Sequence, residues 1–512
     1  MKLAIAALIV SIALYGRSKA MGAKKILFMP AMTAPSHVKS MLPLAKVLGK
    51  DGHKVTFVQY YSDESEKIFD DDIEFIHLST YAAMAVNENM ATWLWLEKAA
   101  NPWELINTVS ALGQGCHRSW KDEHNADFYQ KLTTLYWDLL IVDNVCQPCG
   151  VIMSTLTKNQ SWVDYCTTPL FKWARTFRAV NVPLSVDITA NAETYEPIRF
   201  GNRLFGLLDG VEELTFWFIF TLAMETHAEG IPLGKWRVRD FHTNAVYTVG
   251  SVPSMLDIPL PQSANTFLLD YACPKAAELS DEYREFVEDP SSAGTIVFSL
   301  GHMADWRVAP AEVIQAFYVA FEELPQYRIV WQFNGNASLI NKKSHIKVSQ
   351  WLPLPALLQH PRTALFITHS GIKSFREAVC FAVPVVSVPL FVDQLRHAVL
   401  TLKHGIGDVL DKTKLSKQAV HNAIVTVLRN GGHKERVVKM SAMVGDKIID
   451  DMQRGKFWIN FYLRHPNSAL HMRLKGTTLN SLSYHCYDAM ILLCALLFAV
   501  HYTLVGQDKL PM

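Results

Sequence analysis

From about residue 295 to 404 the chain alternates short apolar, β-rich runs with segments of helical apolar spacing. No other feature constrains the fold as tightly. Strand-like runs at 295–300, 328–332, 346–348, 365–368 and 383–388 interleave with predicted helices near 311–323, 374–381 and 394–404. Continuously apolar strands joined by helices build a parallel sheet covered on both faces. A related unit opens the chain. Residues 25–29 are strand-like, Val38, Met41, Leu42, Ala45 and Leu48 keep helical spacing up to Gly49, and 53–58 is strand-like again, a βαβ unit. A further apolar run at 139–142 ends on Asp143. The aromatic-rich stretch 162–241 predicts helices and loops lining an apolar pocket, and the polar, Pro-rich 251–292 predicts a linker. Two such domains facing one another place a ligand in the cleft, beyond the carboxyl ends of the strands.

Among 512 residues, 49 Lys+Arg oppose 48 Asp+Glu, so no basic excess exists to bind a nucleic-acid backbone. The apolar fraction of 50% excludes disorder and is raised by the two ends. Lys2 precedes an apolar run from Leu3 to Tyr15, and Ser18-Lys19-Ala20 predicts signal-peptide cleavage after residue 20. Near the other end, Ala489 to Val505 is 17 residues without a formal charge, a predicted membrane anchor followed by a cytosolic tail, 506–512. The body would then be lumenal. Domain expectations are a signal at 1–20, a first Rossmann-like domain over 21–250, a linker, a second over 293–450, a return segment at 451–487 and the anchor at 488–505.

Of eight cysteines, Cys486 and Cys494 fall in or beside the anchor. Cys146-Gln-Pro-Cys149 has redox-motif spacing, but with no second pair it predicts ordinary buried or disulfide-bonded cysteines rather than zinc ligands. Asn159-Gln-Ser161 and Asn336-Ala-Ser338 are glycosylation acceptors in a lumenal chain. No His/Cys/carboxylate cluster has metal-ligand spacing, so neither a metal nor a resident cofactor is expected.

The chemistry concentrates in Trp351-Leu-Pro-Leu354 through Pro384 and in Pro389 to Gln394. A strand ending at Thr368, a tight His369-Ser370-Gly371 turn and a helix starting near Ser374 present free backbone N–H groups and a positive dipole end to an anion such as pyrophosphate. His369 and Ser374 can add donors, Glu377 can accept from ribose hydroxyls, and Trp351 can stack on a base. Ser374-Phe-Arg-Glu377 also fits a capping box, which alone would explain both residues. In the first half, His37 follows Ser36, a plausible N-cap, and the positive end of that helix disfavours an imidazolium. A neutral His at a cleft mouth suits a general base, and Asp143 at a strand end can orient it and stabilise its charge.

These residues resemble the UDP-glycosyltransferase family, specifically the membrane-anchored animal UDP-glucuronosyltransferases. That signature runs Trp-x-Pro-Gln, His-Gly-Gly-x-Asn-Ser, Glu-Ala, Gly-Val-Pro and Asp-Gln. The likeness spans nearly the whole chain, including Ser36-His37, the strand to Asp143 and Phe298-Ser-Leu-Gly301. It implies a GT-B fold whose first domain binds an acceptor and whose second binds a UDP-sugar as co-substrate. By resemblance, His37 is the base with Asp143 as its partner. Gly301, Trp351, His369, Gly371, Lys373, Ser374, Glu377, Asp393 and Gln394 line the donor site. It further implies inverting transfer of glucuronate to small lipophilic acceptors, in detoxification, by a single-pass endoplasmic-reticulum protein. Homo-oligomerisation is left open. A UDP-glucosyltransferase, or a weakly active homologue serving as a membrane-bound partner, is the alternative.

Several positions depart from the signature. Leu354 replaces Gln, Ser370 the first Gly, Lys373 the Asn, Ala382 the Gly before Val-Pro, and His397 an Asn, while His302 replaces Ser. Ser370 is expected to add bulk where glycine lets the backbone approach, and Lys373 to compensate with a charge near the pyrophosphate.

Overall fold

The structure is a computed structural model that describes residues 22–32, 35–61, 67–79, 94–96, 102–145, 147–156, 160–170, 172–183, 187, 196–227, 237–250, 255–269, 273–274, 278–301, 304–341, 343–391, 393–484 and 486–507. The expected signal segment, Cys146, Asn159, His302 and the tail from 508 onward lie outside these residues.

One sheet comprises β1 (Lys25–Met29), β2 (Lys54–Tyr61), β3 (Glu74–Ser79), β4 (Leu139–Asp143), β5 (Trp162–Cys166), β6 (Tyr247–Gly250) and β7 (Thr266–Leu268), in spatial order β3-β2-β1-β4-β5-β6-β7. The other comprises β8 (Thr295–Ser299), β9 (Arg328–Gln332), β10 (Ile346–Ser349), β11 (Thr363–Thr368), β12 (Val385–Ser387) and β13 (Gly407–Val409), in order β10-β9-β8-β11-β12-β13. Every pairing in both sheets is parallel. The all-apolar runs explain this, since strands such as β4 and β8 are buried at every position and need cover on both faces.

The helices that matter below are α1 (Pro35–Lys50), α2 (Pro102–Lys121), α3 (Pro148–Leu156), α4 (Phe200–His227), α5 (Ala311–Glu322), α6 (Leu354–Gln359), α7 (Ile372–Cys380), α8 (Asp393–His404), α9 (Asp451–Arg464) and α10 (Tyr487–Gln507). In α5, Val313, Ile314, Phe317, Ala320 and Phe321 recur at helical spacing and are buried, with Phe317 packed 4.6 Å from Phe298 of β8.

Each sheet has one switch point. β1 lies between β2 and β4, and β8 between β9 and β11, so consecutive crossovers leave these central strands in opposite directions. Loops at the carboxyl ends of such strands splay apart and leave a crevice. Asp143 ends β4, His369 directly follows β11, and Gly301 lies just past β8.

Among the described residues, contacts at several places join the halves. Trp95, from the first half, is buried in the core of the second and donates its indole N–H to the Asp305 carbonyl at 3.3 Å. Arg396 of α8 pairs with Asp187 at 2.7 Å and with Asp257 at 2.7 Å. Helix α9 packs Met452, Ile459, Tyr462 and Leu463 onto the first sheet, and Asn460 bonds His53 at 2.7 Å and Asp51 at 2.6 Å.

Two expectations are corrected. The stretch 162–241 is not only helix and loop, because β5 lies fully inside the first sheet. The expected linker contains β7, a three-residue edge strand too short to show an apolar run in the sequence. Cys149 is disulfide-bonded, one of the two ordinary roles expected of it; its partner is Cys116 of α2, because α2 and α3 meet in one core, and Cys273 pairs with Cys380. Among the described residues no helix is long and apolar enough to cross a membrane. The expected anchor falls in α10, whose described side chains from Tyr487 to Thr503 are all exposed.

Candidate active site

On the first-half side, Asp143 is fully buried at the end of β4. A carboxylate there is tolerable only if hydrogen bonds replace water. Its Oδ1 accepts from the Val145 N–H at 3.1 Å, and its Oδ2 from the Thr167 hydroxyl at 2.7 Å and the Ala31 N–H at 3.4 Å. His37 Nδ1 completes the set at 3.0 Å from Oδ2 and lies 2.5 Å from Thr167 Oγ1. With the Thr167 hydroxyl donating to the carboxylate, the neutral ring carries its proton on Nδ1, which leaves Nε2 of that tautomer as an acceptor on a side chain that is 20% exposed. Helix α1 begins at Pro35, so Ser36 is inside the helix rather than its N-cap, while His37 remains in the first turn. Thr167 carries no motif of its own. It lies just beyond β5, and only recognition of that strand beside β4 points to it.

On the second-half side, α7 starts at Ile372 with Gly371 as its N-cap and no side-chain cap bond. The expected capping box is therefore absent, because the helix begins two residues earlier and Ser374 falls in its first turn, buried. The His369 ring lies between two glycines. A Cβ on Gly301 would sit 2.6 Å from Cε1, and one on Gly371 would sit 2.5 Å from Nε2. Gly301 takes a φ of +78°. Burial, helped by His397, pushes His369 down to about 4, and its Nδ1 has no hydrogen-bond partner. Lys373 Nζ is likewise buried without a partner. Burial and then Arg376 push Lys373 down to about 7, against the pull of Asp143 and Glu377. Burial raises Glu377, opposed by Arg376, Lys373 and Lys39.

Ser370 keeps the left-handed backbone of the glycine it replaces, with φ +60°. The expected bulk at the helix mouth does not arise. The side chain is fully buried, and its hydroxyl donates to Ser387 Oγ at 2.6 Å, which meets Thr401 Oγ1 at 3.0 Å. His397 braces the same turn: Nδ1 donates to the Ser370 carbonyl at 2.8 Å, and the ring stacks on Phe375 with centroids 5.5 Å apart. Position 397 reads in sequence only as a departure; its bracing role depends on a contact 27 residues away.

Trp351 precedes α6 and is 65% exposed, with the Lys39 ammonium 5.4 Å from its ring centroid. Asp393 opens α8, half-buried, 3.7 Å from His397 Nδ1. Gln394 is buried, and its Oε1 accepts the Leu390 and Phe391 N–H groups at 2.8 and 3.2 Å, so that oxygen shapes the loop. Lys39, two residues past His37, places its ammonium 5.4 Å from the Trp351 ring of the other half, so the two clusters face one cleft. The cleft thus combines an oriented imidazole acceptor with buried, unpaired donors at a helix start, an arrangement that can take a proton from one ligand while holding an anion of another.

The family model for UDP-glucoronosyl and UDP-glucosyl transferase matches residues 24–509. Human UDP-glucuronosyltransferase 1A6 is 26% identical over 488 residues, covering 91% of this chain and 87% of that protein. Mouse UDP-glucuronosyltransferase 1A1 is 28% identical over 386 residues, covering 74% of this chain and 69% of the mouse protein. Among solved structures, the glycotransferase of kitacinnamycin superposes with a TM-score of 0.59 at 15% identity, over 86% of this chain and 99% of that one. The shared architecture is the GT-B fold, two parallel-sheet, Rossmann-like domains.

Proposed function

This chain belongs to the UDP-glucoronosyl and UDP-glucosyl transferase family, and we propose that it transfers glucuronate from UDP-glucuronate to hydroxyl groups of small lipophilic acceptors, with inversion at the anomeric carbon. The observation that carries the reading is the pairing of His37 with Asp143 across the cleft from the unpartnered Lys373 and His369. His37 Nε2 takes the proton of the acceptor hydroxyl as its oxygen attacks the anomeric carbon. Asp143 holds Nδ1–H and stabilises the imidazolium. The bond from the anomeric carbon to the β-phosphate oxygen breaks on the opposite side, and its electron pair leaves with UDP. Backbone N–H groups of the first turn of α7, with Ser374, Lys373 and His369, hold the pyrophosphate. Trp351 stacks on uracil, Glu377 accepts from ribose, and Asp393 and the free amide end of Gln394 meet sugar hydroxyls.

The same reading sets the enzyme in the endoplasmic-reticulum membrane with its body lumenal. Two disulfides suit an oxidising compartment. Helix α10 exposes Ile491, Leu492, Leu496, Leu497 and Phe498, the kind of surface lipid covers. Asn336 is exposed and available for glycosylation.

Membranes bearing the protein, incubated with UDP-glucuronate or UDP-glucose and a panel of phenols, test the chemistry. UDP release with the uronate and not the glucoside supports the proposal. Release with UDP-glucose alone makes the chain a glucosyltransferase, and release with neither leaves only a binding role.

A further inference from the structure

Lys39 lies outside the signature, yet it reaches across the cleft. It is exposed on α1, two residues beyond His37, and its ammonium lies 5.4 Å from the centroid of Trp351 in the other half. Because it arrives from the opposite domain, the face it covers is the one turned toward the cleft. Among the described residues it forms no ion pair, so this cation–π contact is what holds it. Its charge also bears on Lys373 and Glu377 near the start of α7. The Trp351 backbone is itself fixed, its carbonyl accepting from Ser349 Oγ at 2.8 Å. The ring is therefore carried on a fixed backbone, while its visitor is a long lysine side chain.

A nucleobase and this ammonium cannot occupy the same ring face. We propose that Lys39 is a donor-sensing residue: it rests on Trp351 while the cleft is empty, and an entering nucleoside diphosphate displaces it onto the pyrophosphate, opposite Lys373. This rests on the reading of the cleft as a nucleotide-sugar site. It adds that the acceptor domain contributes a cation to donor binding, so donor charge draws the two halves together.

Uridine and UDP separate the two parts of the idea, because uridine needs the ring but offers no phosphate. Calorimetry on detergent-solubilised full-length wild type and Lys39→Ala, with matched melting temperatures as the folding control, should give opposite shifts. Uridine should bind the variant about two- to fivefold tighter, the value of an exposed cation–π contact removed. UDP should bind it about three- to tenfold weaker, with a shallower salt dependence. Unchanged affinities, or shifts in the same direction for both ligands, would overturn the proposal while leaving the donor site standing. A wild-type protein that binds neither ligand would remove the donor site and this proposal with it.

Discussion

The two sides of the cleft handle buried polar groups in opposite ways. On the first-half side, Asp143 is buried, but its two oxygens accept from two N–H groups, a hydroxyl and His37. On the second-half side, Lys373 Nζ and His369 Nδ1 are buried with no partner. A satisfied network stabilises its own geometry and waits for substrate without cost. An unsatisfied one lowers stability until a ligand supplies the missing partner. On the proposed reading, the first region holds a base in place and the second is completed by an anion.

The largest effect should come from breaking the satisfied side. His37→Ala removes the imidazole but leaves Asp143 bonded to Thr167, Ala31 and Val145, so the fold should persist. Turnover on a phenolic acceptor should fall by roughly 10²–10⁴-fold while UDP affinity by calorimetry stays near wild type. Near-normal turnover would mean that the pair does not supply the base.

Lys373→Met tests the unsatisfied side, with two effects of opposite sign. UDP should bind about tenfold weaker or more, since a charge-assisted contact of about 1.5–3 kcal/mol is lost. The empty protein should become more stable, because the ammonium is forced down to about 7 from an ordinary 10.5. Between those values the unfolded chain holds a proton that the folded one releases, so stability falls as pH drops from 10.5 to 7, and the penalty is complete below 7. The gain in melting temperature should accordingly be larger at pH 7 than at pH 10. Equal gains would show that the methionine merely packs better.

Ligand linkage sharpens the same contrast by a smaller amount. UDP favours the charged lysine, so wild-type affinity should weaken as pH rises from 7 to 9, and binding should take up a fraction of a proton. Titration in buffers of different ionisation heat reads that proton. The dependence should vanish in Lys373→Met; if it persists there, another group carries it.

Much of this contrast is legible in the amino-acid sequence. The strand-turn-helix order around 365–381 and the run ending at Asp143 are local patterns, and both sit where expected. What stays hidden depends on distant partners. Thr167 matters because β5 lies beside β4, and His397 because it reaches the Ser370 carbonyl. The expected helix start near Ser374 is two residues late because a capping box can be written in residues that do not cap, and Gly371 takes that position. Ser370 and Ala382 read as losses of glycine, yet both keep the left-handed backbone, at φ +60° and +54°.

Ala382 gives the smallest test, since it lies past the carboxyl end of α7 and not among the residues placed in the cleft. Helix α7 ends with Ala382 N–H bonded to the Val379 carbonyl and Val383 N–H to the Ala378 carbonyl, the two bonds of a Schellman motif. Helix α8 ends the same way through Gly405 and Ile406, with Gly405 at φ +60°. The same turn thus occurs twice, once with the residue that suits it and once without. An L-residue in this conformation costs about 1–2 kcal/mol, of which glycine recovers only part because it loses more entropy on folding. Ala382→Gly should therefore stabilise by about 0.5–1 kcal/mol, or about 1–3 °C in a domain of this size. Gly405→Ala should do the reverse and more, because its Cβ would sit 2.6 Å from Arg436 Nε. UDP affinity should not move in either variant. A destabilised Ala382→Gly would mean that the alanine methyl contributes packing that outweighs the strain of its backbone.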